Sequence, residues 1–164
     1  MKSINKLIEK NLINFQKPGR YIGSETGIPN KDFKNSFVKF AICYPDVYEV
    51  GMSNNGIKII YDIINKVEYA SCERVFAPWL DFEKFLRDND LQLYSLESYT
   101  PIYQFDFLGF TIQYELLFTN ILNVLSLSNI PILKEERDDN CPIVIAGGPV
   151  TANPVPFYPF IDLF

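Results

Sequence analysis

The sequence contains no histidine, and its three cysteines lie far apart, at Cys43, Cys72 and Cys141. Without histidine, the chain lacks the commonest metal ligand and the commonest general base. The cysteines form no CxxC or CxxxCxxC pattern, which excludes a metal cluster held by the cysteines of this chain alone. Their odd number and wide spacing also argue against a disulfide framework. We therefore expect a protein of a reducing compartment, the cytoplasm.

Positive charge is also scarce in this chain. Lysine and arginine together number 15 against 20 aspartates and glutamates, and the net charge is −5. A nucleic-acid-binding domain needs a basic face that neutralises phosphates, so we expect no nucleic-acid partner. The first residues, "MKSINKLIEKNLINF", mix charged and apolar side chains and do not predict a signal peptide.

One long stretch, Leu116–Leu133, carries no charge over 18 residues, the length at which a membrane-spanning helix is suspected. Asn120 and Pro131 interrupt this stretch, and a lipid-facing helix has few ways to satisfy such residues. The spacing is that of a helix buried between a sheet and another layer: Leu117, Ile121, Val124 and Ser128. We predict a buried helix of a soluble domain over 116–129 and no membrane span.

The chain has the length of one domain, and an apolar fraction of 48% is enough for a packed core. An N-terminal helix and an extended polar arm are predicted over 1–36, followed by an α/β domain over 37–164. The predicted strands are 37–44, 91–98, 105–113 and 142–149, and 72–78 is predicted as a short strand or extended segment. The predicted helices are 54–67, 79–90 and 116–129. This alternation predicts a three-layer α/β fold with a mainly parallel, flavodoxin-like or Rossmann-like sheet.

Three loops follow the predicted strands, and in a parallel sheet all three open onto the same edge, where such folds bind ligands. They are 44–56, the stretch "GFTIQYELLFTN" and 146–154. Gly51, Gly147 and Gly148 let the backbone approach a flat ligand or adopt positive φ. Neutral hydrogen-bonding side chains in these loops are Ser53, Thr111, Gln113, Thr119 and Thr151. The same residue types also suit ordinary turns at strand ends, so both interpretations stay open at this point.

The first loop reads Asp46-Val47-Tyr48-Glu49-Val50-Gly51 and resembles the D-x-H-x-x-G loop of cobalamin-binding domains. "GFTIQ" and "IVIAGGP" resemble the two further strand ends of those domains. More broadly, the chain resembles the N-terminal part of cobalamin-binding-type radical SAM proteins. The shared segments are "KPGRYIG", "YPDVYEVGMSNNGIKIIYD", "ERVFAPW", "SLES", "LGFTIQYELLFTNILNVL" and "IVIAGGPVTANPVPF". They cover almost the whole chain.

This resemblance implies a cobalamin-binding site and a set of candidate residues. The candidates are Asp46, Tyr48, Gly51, Ser53, Thr111, Gln113, Gly147 and Gly148. Tyr48 stands where the resembled domains have the histidine that binds cobalt. A phenol with a pKa of about 10 is a poor cobalt ligand near neutral pH. Either the corrinoid binds here without a histidine ligand, or the pocket no longer binds it.

The resemblance also implies a radical SAM barrel, whose CxxxCxxC motif is absent from this chain. The 4Fe-4S cluster and SAM would belong to that barrel, so we expect no catalysis by this chain alone. The leading hypothesis is a cobalamin-binding-like domain in a truncated or split chain, with a radical SAM domain as partner in cis or as a separate chain. The alternatives are a non-catalytic docking module that has lost cobalamin, and a flavodoxin-like flavin or nucleotide binder. The absence of a GxGxxG or T/S-x-T/S-x-T loop weakens the last alternative.

The final residues, "FIDLF", resemble the start of a further apolar strand. If the sheet ended there, it would leave an unpaired edge next to Phe160, Ile161, Leu163 and Phe164. Exposed edges and apolar patches pair with other chains. We therefore expect self-association unless a partner covers this end.

Overall fold

The computed structural model describes residues 4–23, 25–26, 28 and 31–164. In this part of the chain the strands are β1 (Val38–Tyr44), β2 (Ala70–Phe76), β3 (Phe107–Thr111) and β4 (Ile143–Gly147). The α-helices are α1 (Ile4–Asn11), α2 (Tyr48–Ser53), α3 (Asn55–Lys66), α4 (Leu80–Asp88) and α5 (Phe118–Leu127).

The strands form one parallel sheet in the order β2-β1-β3-β4. Ile42 of β1 lies opposite Arg74 of β2 and Gly109 of β3, and Gly109 lies opposite Ile145 of β4. Right-handed connections place α3 on one face of the sheet and α4 and α5 on the other. The predicted three-layer α/β fold with a flavodoxin-like sheet is confirmed. The strand order reverses between β1 and β3.

The uncharged stretch forms the predicted buried helix. A short 3-10 turn, Glu115–Leu117, leads into α5. The side chains whose spacing predicted this helix are all buried: Leu117, Ile121, Val124 and Ser128. No helix in the described ranges is long and apolar enough to cross a membrane.

The N-terminal helix and arm pack on the same core as the sheet. Ile8, Phe15 and Tyr21 are buried and belong to one cluster with the core residues of the strands and helices. The Tyr21 ring stacks on Phe82 of α4 with ring centroids 3.9 Å apart. The N-terminal helix, which the sequence predicts over 2–15, ends earlier, because α1 stops at Asn11 and is followed by a 3-10 turn.

β2 is an edge strand, yet every residue in it is buried. The Asn65 side chain donates to the Cys72 carbonyl and accepts from the Cys72 N–H, both over 3.0 Å. The Glu97 carboxylate accepts a hydrogen bond of 2.8 Å from the Arg74 N–H. Side chains thus satisfy backbone groups that an open sheet edge would offer to another chain.

The predicted strand over 91–98 is wrong. Residues 91–95 join no ladder and form one antiparallel bridge, between Tyr94 and Pro101, and residues 96–98 form a turn. The Leu96 N–H donates to the Arg74 carbonyl over 2.9 Å, and the chain then turns at Tyr99, whose φ is 57°. The segment covers the side of β2, which accounts for its apolar side chains without a strand.

Candidate functional site

The loops that follow β1 and β3 contact each other directly. The Tyr114 hydroxyl donates to Asp46 Oδ2 over 2.6 Å, and the Asn120 amide donates to the Pro45 carbonyl over 2.8 Å. These contacts lie where the strand order reverses, which is the usual ligand position in open α/β sheets. The loops that follow β1 and β3 therefore face each other as predicted, and the loop that follows β4 also contacts the one after β3, because the Val150 N–H donates to the Ile112 carbonyl over 3.4 Å.

Tyr48 is directed toward the N-terminal arm. Its hydroxyl donates a short hydrogen bond to Glu25, and its ring packs edge-on against Phe76 with centroids 5.4 Å apart. Burial, together with the Glu25 carboxylate, raises the pKa of Tyr48 to about 12. At neutral pH this side chain is a neutral phenol already engaged in a structural contact.

Gly51 and Ser53 also serve local structure. Gly51 lies within α2 and does not have the positive φ that the sequence allowed for. Glycine is required here because there is no room for a side chain. A Cβ at this position would lie 2.2 Å from the Phe76 ring. The exposed Ser53 hydroxyl donates to the Val50 carbonyl over 2.6 Å. The opening loop is therefore held by contacts of its own.

The other four candidates line one groove on the α3 side of the sheet. Thr111, Gln113, Gly147 and Gly148 border a groove of about 220 Å³. Its walls are apolar or backbone: Phe40, Ile42, Gly56, Ile60, Gly109 and Ile145. No described lining residue carries a charge.

The two adjacent glycines at the end of β4 have different roles. Gly148 has a φ of +113°, and a Cβ there would lie 2.5 Å from the Ile112 carbonyl oxygen, so only glycine fits. A Cβ on Gly147 would meet nothing within 4 Å. The space that a side chain would occupy at Gly147 is left open beside the groove.

Thr111 contributes a polar atom to this apolar groove. The residue is 7% exposed, and its Oγ1 atom is buried with no hydrogen-bond partner among the described residues. Leaving a buried hydroxyl unpaired costs roughly 1–3 kcal/mol. Because Thr111 lines the groove, a rotation of its side chain would present the hydroxyl to a ligand atom placed there.

The structure thus divides the candidate residues into two groups. Thr111, Gln113, Gly147 and Gly148 meet in the groove, whereas the four candidates of the opening loop do not line it. Sequence reasoning missed the walls that β1 and α3 contribute, Phe40, Ile42 and Ile60. The alternation of side chains along β1 could have predicted two of these walls, because it places residues 40 and 42 on the same face of the sheet.

A family model described as radical SAM proteins, N-terminal, matches residues 56–164. The chain belongs to this family. The match includes all four candidates that line the groove of this radical SAM N-terminal domain, whereas the opening loop and the N-terminal arm precede it. No curated protein and no solved structure matches the chain.

The cysteines of this radical SAM N-terminal domain offer no metal site. The described residues include no group of three or more histidines, cysteines, aspartates or glutamates that could hold a metal ion. Cys43 and Cys72 are buried, and burial raises the pKa of both thiols. They are protonated packing groups at neutral pH.

Proposed function

We propose that this radical SAM N-terminal domain binds cobalamin in the glycine-lined groove, with no histidine ligand to the cobalt. The observation that carries this proposal is the Thr111 hydroxyl, buried and unpaired among the described residues of an apolar groove. Cobalamin combines flat ring systems with neutral amide groups. Such a ligand fills apolar volume and supplies a hydrogen-bond partner at the same time.

The chemistry of the groove favours an uncharged ligand part. Gly147 leaves open space, Gly148 brings backbone to the groove, and Gln113 supplies an amide at its border. The described lining offers no cation for the phosphate of flavin mononucleotide, nor for the phosphodiester in the nucleotide tail of cobalamin, so only an uncharged part of either ligand suits the groove. The neutral amide groups of a corrinoid are parts of this kind, and parallel titrations with the two ligands separate the corrinoid hypothesis from the flavodoxin-like alternative.

When bound, cobalamin would supply a cobalt centre for group transfer or redox chemistry. The residues of this chain would hold the cofactor: Thr111 and Gln113 by hydrogen bonds, and the glycines by close backbone approach. Tyr48 would not bind the metal, since its hydroxyl is engaged with Glu25. We further propose that the 4Fe-4S cluster and SAM belong to a radical SAM domain in cis or on a separate chain.

Titration with hydroxocobalamin, followed by visible absorbance, tests the proposal, with FMN in a parallel titration. Thr111→Val keeps the shape and removes one hydrogen bond of about 1 kcal/mol, so we expect roughly fivefold weaker cobalamin binding. Thr119→Val is the matched control, because Thr119 is exposed and does not line the groove. Saturable FMN binding without cobalamin binding would favour the flavin alternative.

A second candidate function is docking of a partner domain. Ile59 and Ile63 on α3 are each 57% exposed, beside the groove wall formed by Ile60. Clustered apolar side chains on a surface helix are typical of a protein interface. No spectral change with either cofactor would favour this function, with the radical SAM domain as the partner.

A further inference from the structure

Two sequence motifs with no role in the groove meet at the outer side of β2. Glu73 comes from "ERVFAPW", and Ser95 and Ser98 come from the "SLES" segment. Ser95 Oγ and Ser98 Oγ donate to Glu73 Oε2 over 2.5 Å and 2.6 Å, and the Ser98 N–H donates to the same atom over 3.3 Å. The fold thus brings two distant segments together around one carboxylate.

This carboxylate is buried and has no counter-ion among the described residues. Glu73 is 5% exposed, and no described residue donates a hydrogen bond to its Oε1 atom or forms a salt bridge with it. The adjacent guanidinium of Arg74 is engaged by Glu97 and Glu25. A buried carboxylate with no cation is costly, because the charged form loses its hydration.

Glu73 borders a cavity of about 290 Å³ on the other side of α3 from the groove. Ile60 lines the groove, and its neighbour Tyr61 lines this cavity. Lys31 also lines the cavity, but its ammonium donates to the Val67 carbonyl over 2.8 Å. Further lining residues are Phe33, Asn65, Glu97 and Ser98.

We propose that this cavity binds an organic cation, an ammonium or guanidinium group on a short apolar stem. Glu73 Oε1 supplies the opposite charge, and the rings of Phe33 and Tyr61 cover the stem. The volume lies near the lower end of small-molecule sites, roughly 300 Å³, which suits one amino-acid-sized group. This site does not depend on cobalamin binding in the groove.

The test is a titration of the full chain with n-butylammonium and methylguanidinium, followed by calorimetry, with n-butanol as the uncharged comparison. We expect saturable binding of at least one cation, none of the alcohol, and binding weakened about tenfold or more in Glu73→Gln. Glu68→Gln removes the same charge from an exposed position and should leave binding unchanged. Equal binding by wild type and Glu73→Gln would overturn the proposal, as would no binding of either cation.

A second measurement does not need the variant to fold. Amide NMR spectra of the wild-type chain should show saturable shifts for Cys72 and Ser98 on addition of the cation. The same cations should leave Gly147 and Gly148 unchanged, and shifts confined to those glycines would overturn the proposal. Competition by a lysine peptide, but not by the same peptide with norleucine, would identify a protein side chain as the source of the cation. Without competition, the cation is a small molecule.

Discussion

The hydroxyl of Tyr114 donates a 2.6 Å hydrogen bond to the carboxylate of Asp46, and this bond joins the exits of β3 and β1. The bond, together with partial burial, raises the pKa of Tyr114 to about 12. The position where open α/β sheets usually bind a ligand is thus bridged by the protein itself. The groove lined by Thr111 and Gly148 lies instead on the α3 face of the sheet.

Replacing Tyr114 by Phe tests the strength of this bridge. We expect the free energy of unfolding at pH 7 to fall by about 1 kcal/mol, the typical contribution of one hydrogen bond. Urea unfolding measures the change. Tyr103→Phe is the control, because Tyr103 has similar exposure and bonds only to its neighbour Gln104 among the described side chains. Equal losses in the two variants would show that the Asp46 contact adds no stability.

Stability should decline at alkaline pH. The pKa of Tyr48 and of Tyr114 is raised to about 12 in the folded chain, whereas an unfolded tyrosine titrates at about 10. The contribution of both phenols is complete below pH 10 and is lost as the pH rises through about 12. We expect the free energy of unfolding to fall over this range, and to fall less steeply in the Tyr48→Phe, Tyr114→Phe double variant. Parallel curves for the two proteins would contradict this expectation.

Gly147 and Gly148 form a matched pair for substitution by alanine. Gly148→Ala forces a side chain into a positive-φ position and against the Ile112 carbonyl, so we expect a loss of about 2 kcal/mol or more. Gly147→Ala meets open space and should cost less than about 1 kcal/mol. Thermal unfolding of both variants measures the difference. The reverse order of stability would mean that the turn after β4 has another conformation.

Asn65→Ala should destabilise the closed edge of β2. The substitution leaves two buried backbone groups of Cys72 without partners, which we expect to lower the free energy of unfolding by at least about 2 kcal/mol. Asn123→Ala, which removes contacts to Glu83 and Arg87 nearer the surface, should cost less than about 1 kcal/mol. Chemical denaturation of both variants provides the comparison. A smaller loss in Asn65→Ala than in Asn123→Ala would refute this role.

Self-association remains a prediction, and the structure identifies where to test it. The Leu163 carbonyl accepts from the Ala146 N–H over 2.9 Å, so the final residues begin to pair with β4 in parallel. Leu163 and Phe164 are about half exposed there. We expect concentration-dependent association in light scattering, reduced by Leu163→Lys and unchanged by Leu116→Lys, an exposed leucine away from this edge. A monodisperse monomer at high concentration would be the contrary result.

The sequence was most informative where the buried side chains recur at the spacing of a single type of secondary structure. The spacing of Leu117, Ile121 and Val124 predicted α5 because a helix packed on one side needs that repeat. The segment 91–98 misled because an extended chain lying beside a sheet is as apolar as a strand within it. A strand and an extended chain beside the sheet differ in their backbone hydrogen bonds, such as the bond from Leu96 to the Arg74 carbonyl. The local sequence does not show which backbone groups will pair.

The candidate site was only partly predictable for the same reason. Thr111 ends β3 and Gly148 follows β4, and the rule that the carboxyl ends of parallel strands share one edge was sufficient to group them. The contact of Tyr48 with Glu25 joins the opening loop to an arm more than twenty residues away. The groove walls likewise depend on the packing of α3 over β1 and β2, which leaves the neighbouring faces of β3 and β4 uncovered beside it. Such contacts arise from the tertiary fold rather than from strand order.

The closed edge of β2 determines at which edge of the sheet another strand could pair. On one side, Asn65 and Glu97 occupy backbone groups that a neighbouring strand would need. On the other side, Leu163 forms a parallel bridge with Ile145 of β4. Any additional strand, from this chain or another, would join at the β4 side, so pairing between copies through this sheet would stop at two chains joined edge to edge.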